Sequence, residues 1–322
     1  MPEGDTLRIL ATKVDERLAG RRVERSIMRD PRLAGRDLAG TTLVGADAYG
    51  KHLFVRFDDG RSLHAHLHMD GKFKVSRPSR APEWKRRVEL RLADGGSLIG
   101  ESVPVLELIA TTDEHAITDR LGPDLCAIDG PPDPAVVARR LVADPERPLA
   151  GAMLDQGLVA GWGNVYANDV PFVCGISPFQ SVGTIDGLEQ LAGIGAALIH
   201  TNARLGFQNT VGKRLRTDAT WMHGLGRRPC PVCGDRLRYR PERDTPWGRS
   251  ITWCDVPAAH RPSGCRSRSG GSADRIAPSG SEPGVPTLVS APCQRSRSIR
   301  RRILPLADFG ISSTNSTSRT CL

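Results

Sequence analysis

What this sequence lacks limits where the protein can work. No apolar run approaches the roughly 18 residues that a membrane-spanning helix needs, and no secretory h-region or twin-arginine signal is present. The eight cysteines do not form a secretory disulfide framework, because two of them lie in Cys230-Pro-Val-Cys233 and the others are scattered. We therefore expect a soluble, cytoplasmic protein that does not bind membranes.

Positive charge is in excess, but it is unevenly placed. The chain has 45 basic and 36 acidic residues, a formal net charge of +9. The segment 256–322 holds ten Arg, no Lys and three acidic residues, so it accounts for +7 and leaves only +2 for the first 255 residues. A DNA-binding face would therefore have to come from local clusters rather than from overall charge.

The N-terminal third has the pattern of a helix followed by a β-sandwich. Asp5 or Thr6 can cap a helix that runs to about Leu18 and ends at Gly20. Short strand-like runs separated by turn residues follow it. They cover residues 23–28, 41–46, 52–57, 62–68, 72–75, 88–92, 97–99 and 105–109. Eight strands in about 90 residues predict a β-sandwich.

The pattern becomes helical from Pro134 onward, and it ends in a segment that we expect to be disordered. Helices are predicted over residues 135–142, 150–155, 163–168 and 185–201, and a small ribbon over 230–254. Thirteen of the last 67 residues are Ser and ten are Arg. Such a composition cannot bury enough apolar surface to offset its chain entropy.

The opening Met1-Pro2-Glu3 offers a candidate nucleophile. Initiator methionine is normally removed before proline, which would leave Pro2 with a free secondary amine beside the Glu3 carboxylate. An α-amino group has a pKa of roughly 7.7–8.0, so a sizeable fraction is unprotonated at neutral pH and could attack a sugar C1′ while the carboxylate moves protons. Taken alone, the dipeptide is also an ordinary start in which Glu3 only favours a helix N-terminus.

Two further candidates lie at strand ends. Lys51 follows Gly50 at the entrance to an apolar strand, where it could serve as a phosphate clamp or general acid, or be an ordinary solvated turn lysine. Met69 follows the alternating His64, His66 and His68 at a predicted loop tip. An apolar side chain there could fill the gap left when a base leaves the stack, or pack in the core. The three histidines would share one face, but no matching set of carboxylates favours a metal site.

A glycine-rich string runs from Asp155-Gln156 to Asn168 and passes through Gly161-Trp162-Gly163-Asn164. It predicts a helix, a double turn and a new helix beginning at Gly163-Asn164. The backbone N–H groups at that N-terminus, together with the Asn164 amide, would form a phosphate site.

Cys230, Cys233 and Cys254 have the spacing of three ligands of a zinc ribbon. The fourth ligand is expected at position 257, which is Pro257. Arg249, between the two cysteine groups, would sit at a hairpin tip where a guanidinium can bind phosphate.

These motifs occur together in the order and spacing of one family. The Pro2-Glu3 start, Gly50-Lys51-His52-Leu53, the Asp155–Asn168 string and the ribbon with Gly248-Arg249 resemble the formamidopyrimidine-DNA glycosylase and endonuclease VIII family over roughly residues 1–255. The resemblance implies an α+β multidomain fold with a DNA cleft. Its parts would be an N-terminal β-sandwich (1–118), a helix–two-turn–helix domain (128–222), an incomplete zinc-finger ribbon (223–265) and a disordered tail (266–322).

The resemblance also implies residue roles. Pro2 resembles the nucleophile, Glu3 the general acid/base and Lys51 the catalytic lysine of the hairpin. Met69 resembles the residue that fills the vacated base position, and Asn164 and Arg249 resemble the phosphate clamps. Structural zinc would be held by Cys230, Cys233 and Cys254, weakly or not at all because Pro257 replaces the fourth ligand.

Two departures from the family pattern bear on these expectations. Trp162 stands where the family usually has a small aliphatic residue, which predicts a packing change. Read one base later, codons for Val256-Pro-Ala-Ala259 can spell Cys-Gln-Arg, the usual family ending. We therefore hypothesise that a small insertion or deletion after Cys254 removed the fourth ligand and appended a frameshifted tail. The alternative is that His260 or Cys265 replaces that ligand.

The sequence thus predicts a monomeric, nucleoid-associated base-excision repair enzyme that acts on double-stranded DNA with oxidised bases or abasic sites. We expect a DNA glycosylase with abasic-site lyase activity and a preference for oxidised pyrimidines. Oxidised purines such as 8-oxoguanine are the runner-up. The alternative outside the enzymes is a catalytically impaired protein that still binds damaged DNA.

Overall fold

A helix and eight strands form the first half of the fold in a computed structural model that describes residues 2–76, 79–211 and 220–255. The helix, α1, spans Gly4–Leu18. The strands are β1 (Val23–Met28), β2 (Leu43–Tyr49), β3 (His52–Phe57), β4 (Arg61–His66), β5 (Lys72–Val75), β6 (Arg86–Leu92), β7 (Ser97–Glu101) and β8 (Val105–Ala110). All eight strands predicted from the strand-like runs are present.

The strands form two four-stranded antiparallel sheets, in the orders β1-β6-β7-β5 and β2-β3-β4-β8. Alternate residues such as Leu53, Val55 and Leu63 turn inward and share one core with Leu7 and Val14 of α1. The β-sandwich prediction is therefore confirmed, with α1 completing the core.

The start of α1 differs from the sequence prediction. Asp5 and Thr6 lie inside the helix, and the N-cap residue is Glu3, whose side chain makes no hydrogen bond to its own helix. The Glu3 carboxylate is engaged elsewhere, at the N-terminus of a helix far along the chain. Local capping preference was overridden by this long-range contact.

Five helices follow the sandwich: α2 (His115–Thr118), α3 (Pro134–Leu141), α4 (Leu149–Leu154), α5 (Asn164–Cys174) and α6 (Leu188–Leu205). A second core lies among the last four, and Trp162 and Tyr166 are its largest fully buried side chains. The segment 155–163 between α4 and α5 forms the predicted double turn. Gln156 braces it by donating to the Trp162 carbonyl at 2.9 Å and accepting from the Gly161 N–H at 3.1 Å.

The Trp162 ring fits because Gly195 of α6 has no side chain. A Cβ atom at Gly195 would lie 2.5 Å from Cζ2 of the indole. The indole Nε1 donates to the Gly195 carbonyl at 3.2 Å, which satisfies its single polar group. The packing change predicted at Trp162 is thus accommodated by one glycine.

A small hairpin of β9 (Arg238–Arg240) and β10 (Ile251–Trp253) forms the ribbon. Its side chains dock on the helical region, where the ring of Phe179 packs on Trp247 and Trp253 with centroids 5.6 and 4.7 Å apart. The guanidinium of Arg240 lies 4.5 Å from the centre of the Phe179 ring. Aromatic and cation–π contacts therefore hold the ribbon in place.

Pro257, His260, Cys265 and the expected disordered tail 266–322 lie outside the described residues. Within the described ranges, none of the helices combines the length and apolar character needed to span a bilayer.

Candidate active site

The Glu3 carboxylate is fully buried between α1 and the N-terminus of α5. Its Oε2 accepts the backbone N–H of Gly163 and its Oε1 accepts that of Val165, both at 2.8 Å. Gly163 leaves the space for this, since a Cβ atom there would lie 2.6 Å from Cδ of Glu3. The half-buried Pro2 precedes this carboxylate directly.

This arrangement corrects one sequence-based prediction. The N–H groups at the start of α5 were expected to bind a phosphate, but those of Gly163 and Val165 already bind Glu3. An anion does occupy the helix N-terminus, as the orphan N–H groups require. The anion is the protein's own carboxylate, brought there by a residue about 160 positions away in sequence.

Burial raises the pKa of the Glu3 carboxyl from 4.5 to about 7, although the nearby Lys51 ammonium and the two N–H groups oppose this shift. A carboxyl with a pKa near neutrality can both accept and donate a proton at physiological pH. Burial also lowers the pKa of the Lys51 amine, and the negative charge of Glu3 opposes that change. The two groups therefore form an interacting acid–base pair.

Lys51 reaches Glu3 because the β2–β3 hairpin docks on the double turn. Gly50 has φ +54°, which glycine adopts without strain, and a Cβ atom there would lie 2.9 Å from Cβ of Ala160. Beside it, the Tyr49 hydroxyl donates to the Gly122 carbonyl at 3.0 Å. The tip of the hairpin is thus held against these segments by the two residues that directly precede Lys51.

A buried polar network fixes α1 against the helical region. Asp5 Oδ2 accepts the Tyr166 hydroxyl at 2.6 Å, and Asn202 donates to that hydroxyl oxygen at 2.8 Å. Gln208 donates to Asp5 Oδ1 at 3.1 Å. These bonds were not predicted from the sequence, because Asp5 was interpreted as a helix cap. They hold Pro2 and Glu3 in position from the far side of α1.

Met69 lies at an exposed loop tip, with 58% of its surface accessible, as predicted for a side chain that enters DNA. The preceding strand is shorter than predicted and ends at His66. His68 lies beyond it with φ +46° and donates its N–H to His66 Nδ1 at 3.2 Å. The chain turns there, which projects Met69 away from the sheet.

The histidines of this sheet bind one another rather than converge on a point. His64 Nε2 lies 2.9 Å from His52 Nδ1, and its Nδ1 lies 3.2 Å from Glu107. Burial lowers the pKa of His52 to about 4 and that of His66 to about 3. Both imidazoles are therefore neutral at pH 7.

Asn164 and the ribbon meet through Asn168, a contact that the sequence did not reveal. Asn168 donates to the Asn164 carbonyl at 2.7 Å and accepts the Thr252 N–H of β10 at 2.8 Å. Arg249, at the hairpin tip, donates to Glu242 at 2.9 Å, and its charge contributes to the lowered pKa of Lys51. Asn168 therefore links Asn164 to the strand that follows Arg249, and the charge of Arg249 acts on Lys51.

The connection from the helical region to the ribbon is held by one buried carboxylate. Asp169 of α5 accepts the backbone N–H groups of Trp221, Met222 and His223 at 2.8–2.9 Å. Burial raises its pKa, and these donors counteract that shift. Nothing in the sequence singled out Asp169, because these three N–H groups lie more than 50 positions away.

The sulfur atoms of Cys230, Cys233 and Cys254 lie within 4.8 Å of one another, with 3.5 Å between those of Cys233 and Cys254. Such convergence fits a thiolate metal site. Within the described residues this is the only group of three or more candidate ligands that converges in this way. The predicted juxtaposition of the three cysteines is confirmed.

Comparison with known proteins gives concordant matches. The family model for the formamidopyrimidine-DNA glycosylase N-terminal domain matches residues 1–101. The probable endonuclease 8 2 of Streptomyces coelicolor is 37% identical over 273 residues, covering 82% of this chain and 97% of that protein. The DNA-(apurinic or apyrimidinic site) lyase Nei2 of Mycolicibacterium smegmatis is 34% identical over 256 residues, covering 80% and 98%.

Solved structures match the fold. The Lactococcus lactis formamidopyrimidine-DNA glycosylase, bound non-covalently to DNA with an abasic site, superposes with a TM-score of 0.65 at 22% identity, covering 78% of this chain and 97% of that one. The resemblance in architecture thus extends from the β-sandwich to the ribbon.

Proposed function

The chain belongs to the formamidopyrimidine-DNA glycosylase and endonuclease VIII family, and we propose that it is a base-excision repair DNA glycosylase with abasic-site lyase activity. Its substrate would be double-stranded DNA that carries an oxidised base or an abasic site. The observation that carries this proposal is the buried Glu3 carboxyl, which has a pKa of about 7 and lies directly after Pro2 and beside Lys51.

The chemistry follows from these three groups. With Met1 removed, the Pro2 amine attacks C1′ of the damaged nucleotide, and the bond from C1′ to the base breaks as the base takes up a proton. The sugar ring then opens as the C1′–O4′ bond breaks and O4′ takes up a proton, which leaves an iminium between Pro2 and C1′. The iminium withdraws electrons, so loss of a C2′ proton breaks the bond to the 3′ phosphate, and a second elimination breaks the bond to the 5′ phosphate. Glu3 donates and accepts the protons, and Lys51 stabilises the departing negative charge.

The nucleotide must leave the helix before Pro2 can reach C1′. Met69 is exposed on a turned loop and is suited to fill the vacated position in the stack. Asn164 and Arg249 would bind phosphates on either side of the extruded nucleotide. Within the described residues, no hydrogen bond uses the Asn164 side-chain nitrogen, which remains a donor for phosphate.

We infer that Cys230, Cys233 and Cys254 hold a structural zinc ion, which when bound would cross-link the two ends of the ribbon. Three thiolates give weaker binding than four, so the ion should be removable by a chelator unless His260 or Cys265 supplies the fourth ligand. Zinc content measured before and after chelation decides this. Replacing Pro257 with Cys should raise zinc retention if the ligand was lost.

Oxidised pyrimidines are the favoured lesion class, supported by Gly50-Lys51-His52-Leu53 and the short His68-Met69-Asp70 loop, both typical of endonuclease VIII. Oxidised purines are the runner-up. A protein that binds damaged DNA without cutting it is the remaining alternative, because the ribbon lacks its usual last cysteine.

Strand cleavage of duplexes that carry thymine glycol, dihydrouracil, 8-oxoguanine opposite cytosine, or an abasic site tests the proposal. We expect cutting on both sides of the abasic site and faster release of the pyrimidines than of 8-oxoguanine. Faster cutting of the 8-oxoguanine duplex would show that oxidised purines, not oxidised pyrimidines, are the preferred lesions. Binding of the abasic duplex without any cutting would favour the alternative, a protein that binds damaged DNA without catalysis.

A further inference from the structure

A basic groove of about 1320 Å³ runs across the β-sandwich from the Met69 loop. It begins at Asp70, the neighbour of Met69, and continues along the edge strand β5. Phe73 and Val75 of β5 face the core, so the alternating Lys72 and Lys74 face the groove. The groove therefore begins beside the loop whose Met69 we propose to enter the DNA.

The cations of this groove exceed its anions, and most of them have no partner. The basic lining residues are Arg32, Lys72, Lys74, Arg80, Lys85 and Arg87. Its three acidic residues are Asp30, Asp70 and Glu101, and two of these are paired, Asp30 with Arg32 at 2.8 Å and Glu101 with Lys72 at 3.4 Å. Lys74, Arg80, Lys85 and Arg87 make no ion pair within the described residues. Against these four cations stands one acidic residue without an ion pair in the described ranges, Asp70, so the groove keeps an excess of positive charge that matches a polyanion.

An aromatic ring lies at the rim of the same groove. Trp84 is 70% exposed, and it lies in the turn 83–85 whose Lys85 lines the groove. The Lys85 ammonium is 5.0 Å from the centre of the Trp84 ring. A ring with a cation at its side can stack on a base while the cation contacts the adjacent phosphate. Bases in a duplex keep their faces stacked on one another, so only an unpaired base can use this ring.

We propose that this groove binds a single strand of nucleic acid next to the lesion, with Trp84 stacking on an unpaired base and with Lys74, Arg80, Lys85 and Arg87 contacting phosphates. This proposal rests on the proposed function, because the Met69 loop sets which end of the groove lies next to the lesion. It deepens that function by making damage beside unpaired DNA the preferred substrate. Continuity with the Met69 loop favours a nucleic acid over an acidic polypeptide as the occupant.

The test uses the full chain and two measurements. The first is fluorescence anisotropy of a labelled oligothymidylate at several salt concentrations. The second is abasic-site cleavage in a blunt duplex and in the same duplex carrying a single-stranded oligothymidylate arm. The variants are Trp84→Ala, its conservative partner Trp84→Phe, and the double variant Lys85→Glu with Arg87→Glu. Lys13→Glu with Arg17→Glu on the exposed face of α1 makes the same charge change outside the groove.

Trp84→Ala should weaken oligothymidylate binding about five-fold or more, and Trp84→Phe should restore most of it. The double reversal at Lys85 and Arg87 should lower the slope of log affinity against log salt by about 1.4 or more, at roughly 0.7 for each phosphate contact. Trp84→Ala and the double reversal should each abolish the faster cleavage of the armed duplex and leave cleavage of the blunt duplex unchanged. The Lys13 and Arg17 control should behave as the unmodified protein.

Unchanged oligothymidylate affinity in these variants would overturn the proposal. Equal losses on blunt and armed duplexes would also overturn it, by showing that the groove holds paired DNA. Binding of polyglutamate that competes with the oligonucleotide and is insensitive to Trp84→Ala would assign the groove to an acidic protein. Failure of cleavage on every duplex would refute the proposed function alone, because the anisotropy measurement does not depend on catalysis.

Discussion

Glu3 Oε1 accepts a hydrogen bond of 2.8 Å from the backbone N–H of Val165, although 162 positions separate the two residues. The carboxylate that we place in catalysis is thus fixed by the helical region, whereas its own helix packs in the β-sandwich core. The geometry of the active site therefore depends on how these two parts of the chain meet. Substitutions that change that junction should impair catalysis without unfolding either core.

Gly163→Ala tests this dependence most locally. The added methyl group would lie 2.6 Å from Cδ of Glu3, so the carboxylate must move. We expect base release to fall at least about ten-fold, since small displacements of catalytic groups have effects of this size or larger. Gly151→Ala in α4 is the control, because its methyl group would meet its nearest neighbour at an ordinary 3.4 Å. Equal base release by the two variants would contradict the assigned position of Glu3.

The pKa of Glu3 predicts a pH dependence of stability. Burial raises it from 4.5 to about 7, so the folded protein holds a proton that the unfolded chain releases earlier. The contribution of Glu3 to stability is therefore fully present below about pH 4.5 and is lost as pH rises through about 7. Relative to Glu3→Gln, the free energy of unfolding of the unmodified protein should fall across this window and level off above it. Denaturant titrations of both proteins from pH 4.5 to 8 measure this difference.

If the free energies of unfolding of the unmodified protein and of Glu3→Gln changed with pH in the same way, Glu3 would not be the titrating group. Lys51→Met sharpens the test, because the Lys51 charge lowers the Glu3 pKa and its removal should move the window to higher pH. Lys51→Arg keeps the charge and should leave the window in place.

Asn168→Ala should weaken DNA binding, although Asn168 is not one of the proposed DNA contacts. Asn168 joins the Asn164 carbonyl to the β10 strand that follows Arg249. Without it, the two residues that we propose to bind phosphate, Asn164 and Arg249, are held less firmly. We expect duplex affinity to fall by about 1 kcal/mol, or roughly five-fold, equally for damaged and undamaged duplexes. Asn168→Asp, which can still accept the Thr252 N–H, should lose less. A loss confined to one lesion would contradict the positioning role.

Trp162 and Gly195 should show a strong energetic coupling. Gly195→Ala alone places a methyl group 2.5 Å from the indole and should destabilise the fold by about 1–3 kcal/mol. With Trp162→Val the contact with the indole is removed and the nearest remaining neighbour of the methyl group is Val170 Cγ1 at 3.3 Å, so the double variant should be more stable than the sum of the single effects predicts. Gly193→Ala on the same helix, with its nearest neighbour at 3.4 Å, is the control. Additive effects in denaturant unfolding would contradict the packing account.

The sequence predicted the elements whose signal is local and missed contacts that depend on distant partners. Short strand-like runs separated by turn residues located β1, β3 and β5 to the residue. Nothing local could reveal that Glu3 would occupy the N-terminus of α5, or that Asp169 would bind the chain at 221–223. A helix N-terminus requires an acceptor, but the sequence does not say which one.

The same limit applies to the candidate site. Pro2, Glu3, Lys51, Asn164 and Arg249 were identified because their motifs resemble those of a known family. Asn168 lies in the same motif, but its role was missed because Thr252 is 84 positions away. The exposed Trp84 gave no signal, because a single aromatic residue in a turn has no pattern.

Borohydride trapping on an abasic duplex, followed by peptide mapping of the adduct, tests the central claim most directly. Reduction converts the iminium to a stable amine, so it fixes the nucleophile to the sugar. We predict that a covalent adduct forms and maps to an N-terminal peptide beginning with Pro2, and that protein retaining Met1 forms none. An adduct on Lys51 or another lysine, or no adduct despite binding of the abasic duplex, would contradict the account.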